Sequence, residues 1–434
     1  MNRFDAIVSM AESMLPEMAA TRQDFHKHAE TGWLEMRTSS IIARKLTDLG
    51  YKVLVGDAVC DRDARMGVPS EEVLEAQYQR AVAQGADPEF VPYTKGGMTG
   101  VIGILECGEG PTVAMRFDID ALGVFEASDD QHRPHCEGFA SINNGFMHAC
   151  GHDGHATIGL GVAKVLMSIK ESLHGTVKLI FQPAEEGVRG AKSIVAKGHL
   201  DGVDFLLGNH ISGSSEKTGS ADLIPGSYRS LATTKYDVVY TGKAAHAGSA
   251  PHLGNNALLA AASAVMNLYA IPRHGKGSTR INVGTLHAGS GRNVIADEAK
   301  MELEIRGADT EINDYMTQYA ERILENAADM FGCTCQIKLM GAAEALCSDK
   351  VLADRVAAVA QEIGLNPNAS TSGSGSEDVS YMMNRVQQNG GQAVFFRTLT
   401  KISGTSHGRY YDFNESVLVN AVKIFCCTAA DIMK

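Results

Sequence analysis

The sequence predicts an α/β protein of two domains, one inserted into the other. The chain has 434 residues, more than the roughly 100–200 that one domain usually holds. Short apolar runs typical of buried strands alternate with helical patterns in the first half. Near residue 228 the order becomes strand–helix–strand–strand–helix–strand, and the alternating pattern resumes after 340.

Composition and charge exclude several classes of protein. The fractions of hydrophobic (44%) and charged (21%) residues are those of an ordinary soluble protein, and the net charge is −12 without a basic stripe. We therefore expect no nucleic-acid partner and no membrane partner. Acidic residues interrupt the apolar pattern of the first helix, which argues against a signal peptide. Nine irregularly spaced cysteines without a CxxC pair complete the expectation of a cytoplasmic protein.

The N-terminal elements follow from periodicity. Residues 4–20 and 38–49 have apolar residues at helical spacing, and a short strand, YKVLVG, follows. Residues 56–98 are charged and contain a helical patch at 71–84, so they predict an insertion between strands. Four further apolar runs predict strands: VIGILECG, PTVAMRFDIDAL, GTVKLIFQPAEEG and DFLLGNHI. Ligands gather at the carboxyl ends of strands in such sheets, and the reactive residues fall at those ends.

Residues 228–340 predict the inserted domain. Their β-α-β-β-α-β order is that of a ferredoxin-like unit. The other domain then comprises 1–227 and 341–434, with a mixed sheet. The Ser/Gly-rich stretch at 369–378 predicts a flexible loop.

HACGHDGH, at 148–155, is the densest group of potential ligands. Cys150 and His152 form a C-x-H pair, and thiolate and imidazole both suit zinc and neighbouring transition metals. The alternative is an ordinary helix N-terminus, with Asp153 as the cap and solvated histidines. Four nitrogen or sulfur donors within eight residues favour the metal site.

Glu185 and Glu186 end a predicted strand. Adjacent carboxylates repel each other unless a cation intervenes, so one can bind a metal while the other acts as a general base. His210 ends another strand, and His407 lies in GTSHGRYYDF. Five candidate ligands exceed the four of a closed zinc site and favour two cations: Cys150, His152, Glu186, His210 and His407.

Nine motifs in the same order resemble the aminoacylase/amidohydrolase branch of the co-catalytic metallopeptidases, a branch that includes hippurate and N-acyl amino acid hydrolases. The resemblance covers nearly the whole chain. The motifs are DFHKHAETGWLE, RFDIDAL, MHACGHDGH, FQPAEEG, GNHI, GKAAHAGSAP, GRNVI, SGSEDVSYMM and SHG.

This resemblance implies a two-domain fold with a lid/dimerisation domain, two divalent ions (Mn or Zn) held by the five ligands, and Glu185 as general base. It implies that His246 crosses a dimer interface to stabilise the oxyanion and that Asn293 lies near the substrate. Asp118 matches a supporting aspartate, although Arg116 replaces the histidine of the H-x-D pattern in the wider clan. The resemblance also implies a homodimer, or a heterodimer with a homologous chain.

Arg189 and Arg292 predict the substrate class. Relatives in this branch more often carry glycine and an apolar residue there, so two extra guanidinium groups predict an acidic leaving group such as glutamate or aspartate. The alternative is that both are ordinary surface arginines. The predicted function is hydrolysis of the amide bond of N-acyl acidic amino acids, with an aromatic acyl group favoured. The alternatives are hydrolysis of indole-3-acetyl-aspartate, general N-acyl amino acid hydrolysis and a non-catalytic partner subunit.

Overall fold

The computed structural model describes residues 3–368 and 375–434, which form two compact units. The first contains the chain up to Tyr228 and most of the chain from Cys347 onward; the second contains Arg229–Leu346. Most of the loop predicted at 369–378 lies outside the described residues. None of the described helices combines the length and apolar character that a membrane span requires.

Helices and strands alternate along most of the chain. The helices are α1 Asp5–Ser13, α2 Leu15–Lys27, α3 Met36–Asp48, α4 Glu71–Ala83, α5 Arg133–Cys136, α6 His152–Ser168, α7 Ala191–Ala196, α8 Ala257–Tyr269, α9 Thr310–Met330, α10 Lys350–Glu362, α11 Val379–Gln388 and α12 Ser416–Ile432. The strands are β1 Lys52–Val55, β2 Val101–Glu106, β3 Thr112–Asp118, β4 Thr176–Gln182, β5 Phe205–Gly213, β6 Leu223–Ile224, β7 Ala232–Thr241, β8 Thr279–Ala288, β9 Glu298–Gly307, β10 Thr334–Ala343, β11 Gln392–Thr400, β12 Ile402–Ser403 and β13 Asp412–Phe413. The predicted α/β class is confirmed.

A mixed sheet of seven strands forms the centre of the first unit, in the order β1-β2-β4-β3-β5-β11-β6. Strands β4, β3, β5 and β11 are parallel to one another, whereas β1, β2 and β6 pair antiparallel. β3 and β4 are buried over most of their length. Strands covered on both faces are mostly apolar, which is why the sequence shows them as apolar runs. Arg116 and Asp118 are buried charged exceptions in β3.

The N-terminal segment corrects one prediction. A single helix over 4–20 is wrong, because α1 and α2 are separate helices that meet at Met14. Pro16 lies in the first turn of α2, where its missing N–H is not needed. It has no N–H with which to continue the hydrogen-bond ladder of α1.

Helix α6 is buried over most of its length, and it packs against α2, α12 and β3. Gly159 permits the close approach, since a Cβ there would lie 2.5 Å from the Phe181 ring. This packing fixes the position of His152, the first residue of the helix.

The insertion at 56–98 contains α4, as the helical patch predicts. The Trp33 indole donates to the Met66 carbonyl at 2.8 Å, which ties the insertion to the segment before α3. A small apolar core includes Leu34, Met36, Leu74, Ala81, Ala86 and Val91.

The second unit has the element order β7-α8-β8-β9-α9-β10. Its antiparallel sheet has the order β10-β7-β9-β8. Helices α8 and α9 pack on each other and on the sheet around a separate core. The sequence places the end of this segment at 340, whereas β10 runs to Ala343 and the unit to Leu346.

Candidate metal centre and active site

The carboxyl ends of three neighbouring strands bring predicted site residues to one edge of the larger sheet. β3, β4 and β5 run parallel. Asp118 is the last residue of β3, the Glu185–Glu186 pair follows the end of β4, and His210 lies in the second half of β5. Because parallel strands end on the same side of a sheet, these side chains lie near one another.

A glycine turn sets Cys150 beside His152. Gly151 has a φ of +92°, in the left-handed region, and α6 begins immediately after it. A Cβ at this position would lie 2.9 Å from the Tyr411 hydroxyl oxygen. Both observations require glycine, so the middle residue of the C-G-H sequence sets the spacing of the two candidate ligands.

The five candidate ligands lie together in the first unit. Cys150 Sγ is 3.3 Å from His210 Nε2. Glu186 Oε1 is 3.9 Å from His152 Nε2 and 3.6 Å from His407 Nε2. Overlapping groups suit two neighbouring cations. Ligand atoms lie within 4.8 Å of one another in three such groups: Cys150–His152–His210, Cys150–Glu186–His407 and His152–Glu185–Glu186.

His407 reaches this group from the C-terminal part of the chain. Its N–H donates to the Ala149 carbonyl at 2.8 Å, one residue before Cys150. Its φ of +63° is rare for a histidine, and such strain costs about 1–3 kcal/mol and concentrates at functional sites.

His152 carries the observation that fits a bound cation. Its Nδ1 lies 3.3 Å from Asp120 Oδ1, and in the neutral ring this hydrogen bond keeps the proton on Nδ1 and leaves the lone pair on Nε2. The side chain is fully buried, and within residues 3–368 and 375–434 Nε2 has no hydrogen-bond partner. A buried unsatisfied group costs about 1–3 kcal/mol. A cation at Nε2 would satisfy it, and a carboxylate on the other ring nitrogen is usual for a histidine ligand.

Asp118 and His155 also lie near His152, but both are occupied. His155 Nε2 accepts from the Ile211 N–H at 2.9 Å, so the proton is on Nδ1, which donates to Asp118. The second Asp118 oxygen pairs with Arg116. His155 therefore lacks a lone pair to give a metal.

Arg116 stands where the H-x-D pattern has a histidine, and it is fully buried. Its Nε donates to Gln182 Oε1 at 2.8 Å, and its Nη2 lies 3.3 Å from Asp378 Oδ1. Burial would raise the pKa of Asp118, but Arg116 and two histidines hold it well below its usual value. Asp118 is thus an ionised partner of Arg116, and its supporting role stays a prediction.

Burial sets the protonation of the ligands before a cation binds. It raises the pKa of the Cys150 thiol and lowers that of the His210 imidazole. Burial would also lower the pKa of His152, but Asp118 and Asp120 raise it well above its ordinary value. A divalent cation favours thiolate and neutral imidazole, so its binding should release protons.

The loop that follows β4 has an unusual main chain. Ala184 and Val188 have φ values of +51° and +61°, which L residues seldom adopt. Asp120 holds the loop between them, because its two carboxylate oxygens accept from the N–H groups of Glu185 at 3.0 Å and Glu186 at 2.9 Å. Asp378 accepts from the N–H groups of the next turn, at 190 and 191.

Asp120 is a site residue that the sequence did not lead us to predict. A signal for it is present, since it follows Asp118 by two residues in RFDIDAL. Two carboxylates near one strand end repel each other, so each needs a partner that stabilises its negative charge. Asp118 pairs with Arg116, whereas Asp120 accepts main-chain N–H groups, and these partners come from a distant loop that sequence spacing does not reveal.

His246, Arg292 and Asn293 lie on the second unit, in exposed loops that touch. His246 forms a β-bridge with Val294, and the Ala247 N–H donates to the Asn293 carbonyl at 2.9 Å. His246 Nδ1 accepts from the N–H groups of residues 248 and 249, at 3.1 and 3.0 Å. The ring proton is therefore on Nε2, which is a hydrogen-bond donor.

Arg189 lies on the first unit with its guanidinium bonded to the main chain. Nε donates to the Glu186 carbonyl at 2.9 Å and Nη1 to the Gly67 carbonyl at 3.2 Å. A Cβ at Gly32 would lie 2.5 Å from Nη2. Arg189 thus joins the loop of Glu186 to the 56–98 insertion, and its contact with substrate stays a prediction.

A family model and several known proteins match most of this chain. The model of peptidase family M20/M25/M40 matches residues 114–431. The chain is 43% identical over 429 residues to one of the subunits of the p-aminobenzoyl-glutamate hydrolase of Escherichia coli K12, covering 98% of each chain. It is 44% identical over 424 residues to the indole-3-acetyl-aspartic acid hydrolase of Enterobacter agglomerans, covering 96% of each.

A solved structure is also similar. An aminobenzoyl-glutamate utilization protein from Klebsiella pneumoniae matches with a TM-score of 0.83 and 38% identity, over 98% of this chain and 97% of that one. Since the family model covers most of the chain and these relatives align with nearly all of it, the chain belongs to peptidase family M20/M25/M40.

Proposed function

We propose that the chain is a metal-dependent amidohydrolase that cleaves N-acyl acidic amino acids, such as p-aminobenzoyl-glutamate or indole-3-acetyl-aspartate. The observation that carries the proposal is the convergence of Cys150, His152, Glu186, His210 and His407 around a buried, unsatisfied imidazole nitrogen. Relatives that are 43–44% identical over almost the full length are named for these two substrates.

The ligand set suits two divalent cations, Mn or Zn. Cys150 and three histidines favour zinc, whereas the carboxylates of Glu185 and Glu186 accept manganese readily. Cations bound there would act as Lewis acids that polarise the amide and make water acidic enough to attack near neutral pH. The overlapping ligand groups support two ions rather than one.

Glu185 is proposed as the general base. Its carboxyl group belongs to the group formed with His152 and Glu186, and its main chain is fixed by Asp120. In this position Glu185 takes a proton from the attacking water and returns it to the nitrogen of the leaving amino acid. The neighbouring carboxylate, Glu186, is proposed to bind a cation and not to act as a base.

His246 is proposed to stabilise the oxyanion of the tetrahedral intermediate. The two main-chain donors at Nδ1 fix the tautomer with hydrogen on Nε2, and a donor aimed at a developing oxyanion is commonly worth about 2.7–4 kcal/mol. Asn293 lies on the adjoining loop. We propose that both act on the active site of the other chain in a dimer.

The second unit is proposed as a ferredoxin-like lid and dimerisation domain. Its β-α-β-β-α-β order and four-stranded antiparallel sheet support this role. Helix α8 exposes Leu258, Leu259 and Met266, the last with 74% of its surface accessible, and such apolar residues suit an interface between chains. The Escherichia coli relative is named as one component of a hydrolase, so both a homodimer and a heterodimer with a homologous chain remain proposals.

Charge supports the substrate class. Arg292 is exposed on the loop beside Asn293, and in a protein of net charge −12 an anionic substrate needs local cations. We propose that Arg292, with the remaining N–H groups of Arg189, binds the side-chain carboxylate of the leaving amino acid. A cytoplasmic location suits a thiolate ligand, since reducing conditions preserve it.

The deciding experiment measures turnover by the purified chain alone, loaded with Mn or Zn. The substrates are N-acyl glutamates, aspartates and glycines with aromatic and aliphatic acyl groups. We expect two cations per chain by elemental analysis and the fastest turnover on aromatic-acyl glutamate or aspartate. Inactivity of the metal-loaded chain that is relieved only by a homologous partner would favour the non-catalytic role instead.

A further inference from the structure

A buried carboxyl group contacts the strained residue next to Glu185. Glu35 is fully buried at the start of α3. Its Oε1 accepts a hydrogen bond from the Ala184 N–H at 2.7 Å. Ala184 has a φ of +51°, a conformation that an alanine leaves unless its surroundings hold it. Glu35 therefore contacts the main chain at Ala184, the residue whose conformation sets the direction of the chain at Glu185.

The other oxygen of Glu35 is also used. Oε2 accepts from the Thr99 hydroxyl at 2.6 Å, and Thr99 lies directly after the 56–98 insertion, fully buried. Burial, together with the nearby Asp120 carboxylate, raises the pKa of Glu35 to about 8. Glu35 thus acts through hydrogen bonds to Ala184 and Thr99, and its chemistry differs from that of the arginine-paired Asp118.

We infer that Glu35 is a positioning residue that fixes Ala184 in its left-handed conformation and so directs the Glu185 carboxylate toward the attacking water, with Thr99 orienting Glu35. The inference rests on the proposed function, because it requires Glu185 to be the base. Glu35 and Thr99 touch neither substrate nor cation in this role. They connect the end of the insertion to the loop after β4 that contains Ala184, Glu185 and Glu186, called the catalytic loop below.

The first test compares Glu35→Ala with Glu35→Gln. The alanine removes the acceptor for the Ala184 N–H, whereas the amide keeps an acceptor oxygen and a similar shape. We expect Glu35→Ala to lower kcat by about 10- to 100-fold, since misplacing a reacting group by about 1 Å costs this much. KM and the metal content should change by less than about 3-fold. Glu35→Gln should keep kcat within about 5-fold of wild type.

The second test is a rescue. Glycine adopts positive φ without strain, so Ala184→Gly should relieve the need for Glu35. The kcat of the double variant Glu35→Ala/Ala184→Gly should be at least about 5-fold higher than that of Glu35→Ala, although its core is no better packed. A purely structural contribution of Glu35 would move the melting temperature without this recovery.

Glu30 provides a matched control. It is equally buried, and its carboxylate accepts two main-chain N–H groups, those of Arg37 and Thr38 at 3.0 and 2.9 Å. These contacts cap α3 and do not touch the catalytic loop. Glu30→Gln should therefore leave kcat within about 2-fold. A kcat loss as large as that of Glu35→Ala would overturn the inference.

Thr99→Val gives a milder variant should Glu35→Ala fail to fold. It removes the hydroxyl that orients Glu35 and should lower kcat by about 3- to 10-fold. Thr94→Val is its control, because Thr94 is a buried threonine of the insertion whose hydroxyl donates to the Val91 carbonyl at 2.8 Å.

The outcomes separate this inference from the proposed function. Wild-type enzyme that hydrolyses no N-acyl amino acid overturns the proposed function. If the wild type is active, any of four results overturns the inference alone: Glu35→Ala or Thr99→Val keeps full kcat, Glu35→Gln falls as far as Glu35→Ala, Ala184→Gly gives no rescue, or Glu30→Gln loses as much kcat as Glu35→Ala.

Discussion

Asp120 Oδ2 accepts a hydrogen bond from the main-chain N–H of Glu186 at 2.9 Å, so a residue proposed to bind cation is held by a carboxylate outside the ligand set. The same side chain orients His152 through Nδ1. One carboxylate therefore fixes two proposed ligands from different parts of the chain, a helix start and a strand end.

Asp120→Asn should weaken metal binding without removing a ligand. The amide offers one acceptor where two are needed, so an N–H would face the N–H of Glu185 or Glu186. Loss of a partner that orients metal ligands typically costs 10- to 100-fold in affinity. Titration with Mn or Zn, followed by calorimetry, measures the change.

Asp204→Asn is the control for that variant. Asp204 accepts the Thr112 N–H at 2.8 Å, at the other end of β3. The Asp204→Asn variant should bind metal with the affinity of the wild type. Equal affinities of both variants and wild type would contradict the role given to Asp120.

Glu185→Gln should keep both cations and lose nearly all turnover. The amide preserves the shape of the side chain but cannot accept a proton, and general-base catalysis is commonly worth about 10²–10⁴-fold. Metal analysis and kcat on N-aroyl-glutamate are measured together. Activity above a tenth of wild type would rule out Glu185 as the base.

Part of this site follows from sequence alone. Cys150 and His152 are separated by one residue and lie at a helix start, so local spacing suffices to predict the pair. His407 is different: no local spacing marks it as a ligand, so its prediction depends on the SHG motif of the family resemblance, and the fold brings its N–H to the Ala149 carbonyl. The strand ends were predictable because parallel strands must share an edge.

Other contacts were not predictable, because they join residues that are distant in sequence through the main chain. Glu35 bonds to the N–H of Ala184, and every residue except proline offers an N–H, so no residue type marks the partner. Similarly, the break between α1 and α2 at Met14 leaves the apolar periodicity nearly continuous. Pro16 was its only local sign, and a proline in a first turn is compatible with either outcome.

His246→Ala should abolish turnover and leave the metal content unchanged, because its ring is proposed to donate to the oxyanion only. If it acts across a dimer interface, mixing it with Glu185→Gln chains should restore activity. One of the two hybrid sites then combines an intact base with an intact oxyanion donor. Exchange of chains is verified with different tags, and exchange without any recovery would place His246 in its own chain's site or outside catalysis.

Glu126→Gln should destabilise the protein in a pH-dependent manner. Glu126 contacts His26 and His132 at 2.9 and 2.7 Å. Burial would raise its pKa, but the two histidines lower it to about 2, from 4.5. A carboxyl group with a depressed folded-state pKa stabilises above its unfolded pKa, and this contribution is lost as the pH falls toward 2.

The wild-type advantage over Glu126→Gln should therefore be largest, up to about 3 kcal/mol, above pH ~5 and shrink between pH ~4.5 and ~2. Urea unfolding at pH 7, 5, 4 and 3 measures it. Glu17→Gln is the control, since Glu17 pairs with Lys164 at the surface, and such pairs contribute little. A difference that does not vary with pH would contradict the depressed pKa.

Arg292→Met should erode the preference for acidic leaving groups. A charge-assisted pair with the side-chain carboxylate discriminates by ~1.5–3 kcal/mol, or roughly 10–150-fold in kcat/KM between benzoyl-glutamate and benzoyl-glycine. Hydrolysis of benzoyl-glycine should be unaffected, because this compound lacks the side-chain carboxylate and Arg292 is not a metal ligand. The control is Arg322→Met, at an exposed arginine of α9. It should leave kcat/KM unchanged for both substrates.

Arg189→Met separates two roles of that arginine. As a carboxylate contact, it should reproduce the selectivity loss of Arg292→Met. Its bonds to the carbonyls of Glu186 and Gly67 instead predict an equal loss of kcat on both substrates, because the loop that carries Glu185 would lose a support. The ratio of kcat/KM for the glutamate and glycine compounds distinguishes the two. A wild-type enzyme that cleaves both compounds equally fast would show that the acyl group alone sets specificity, and neither arginine would then bind the leaving amino acid.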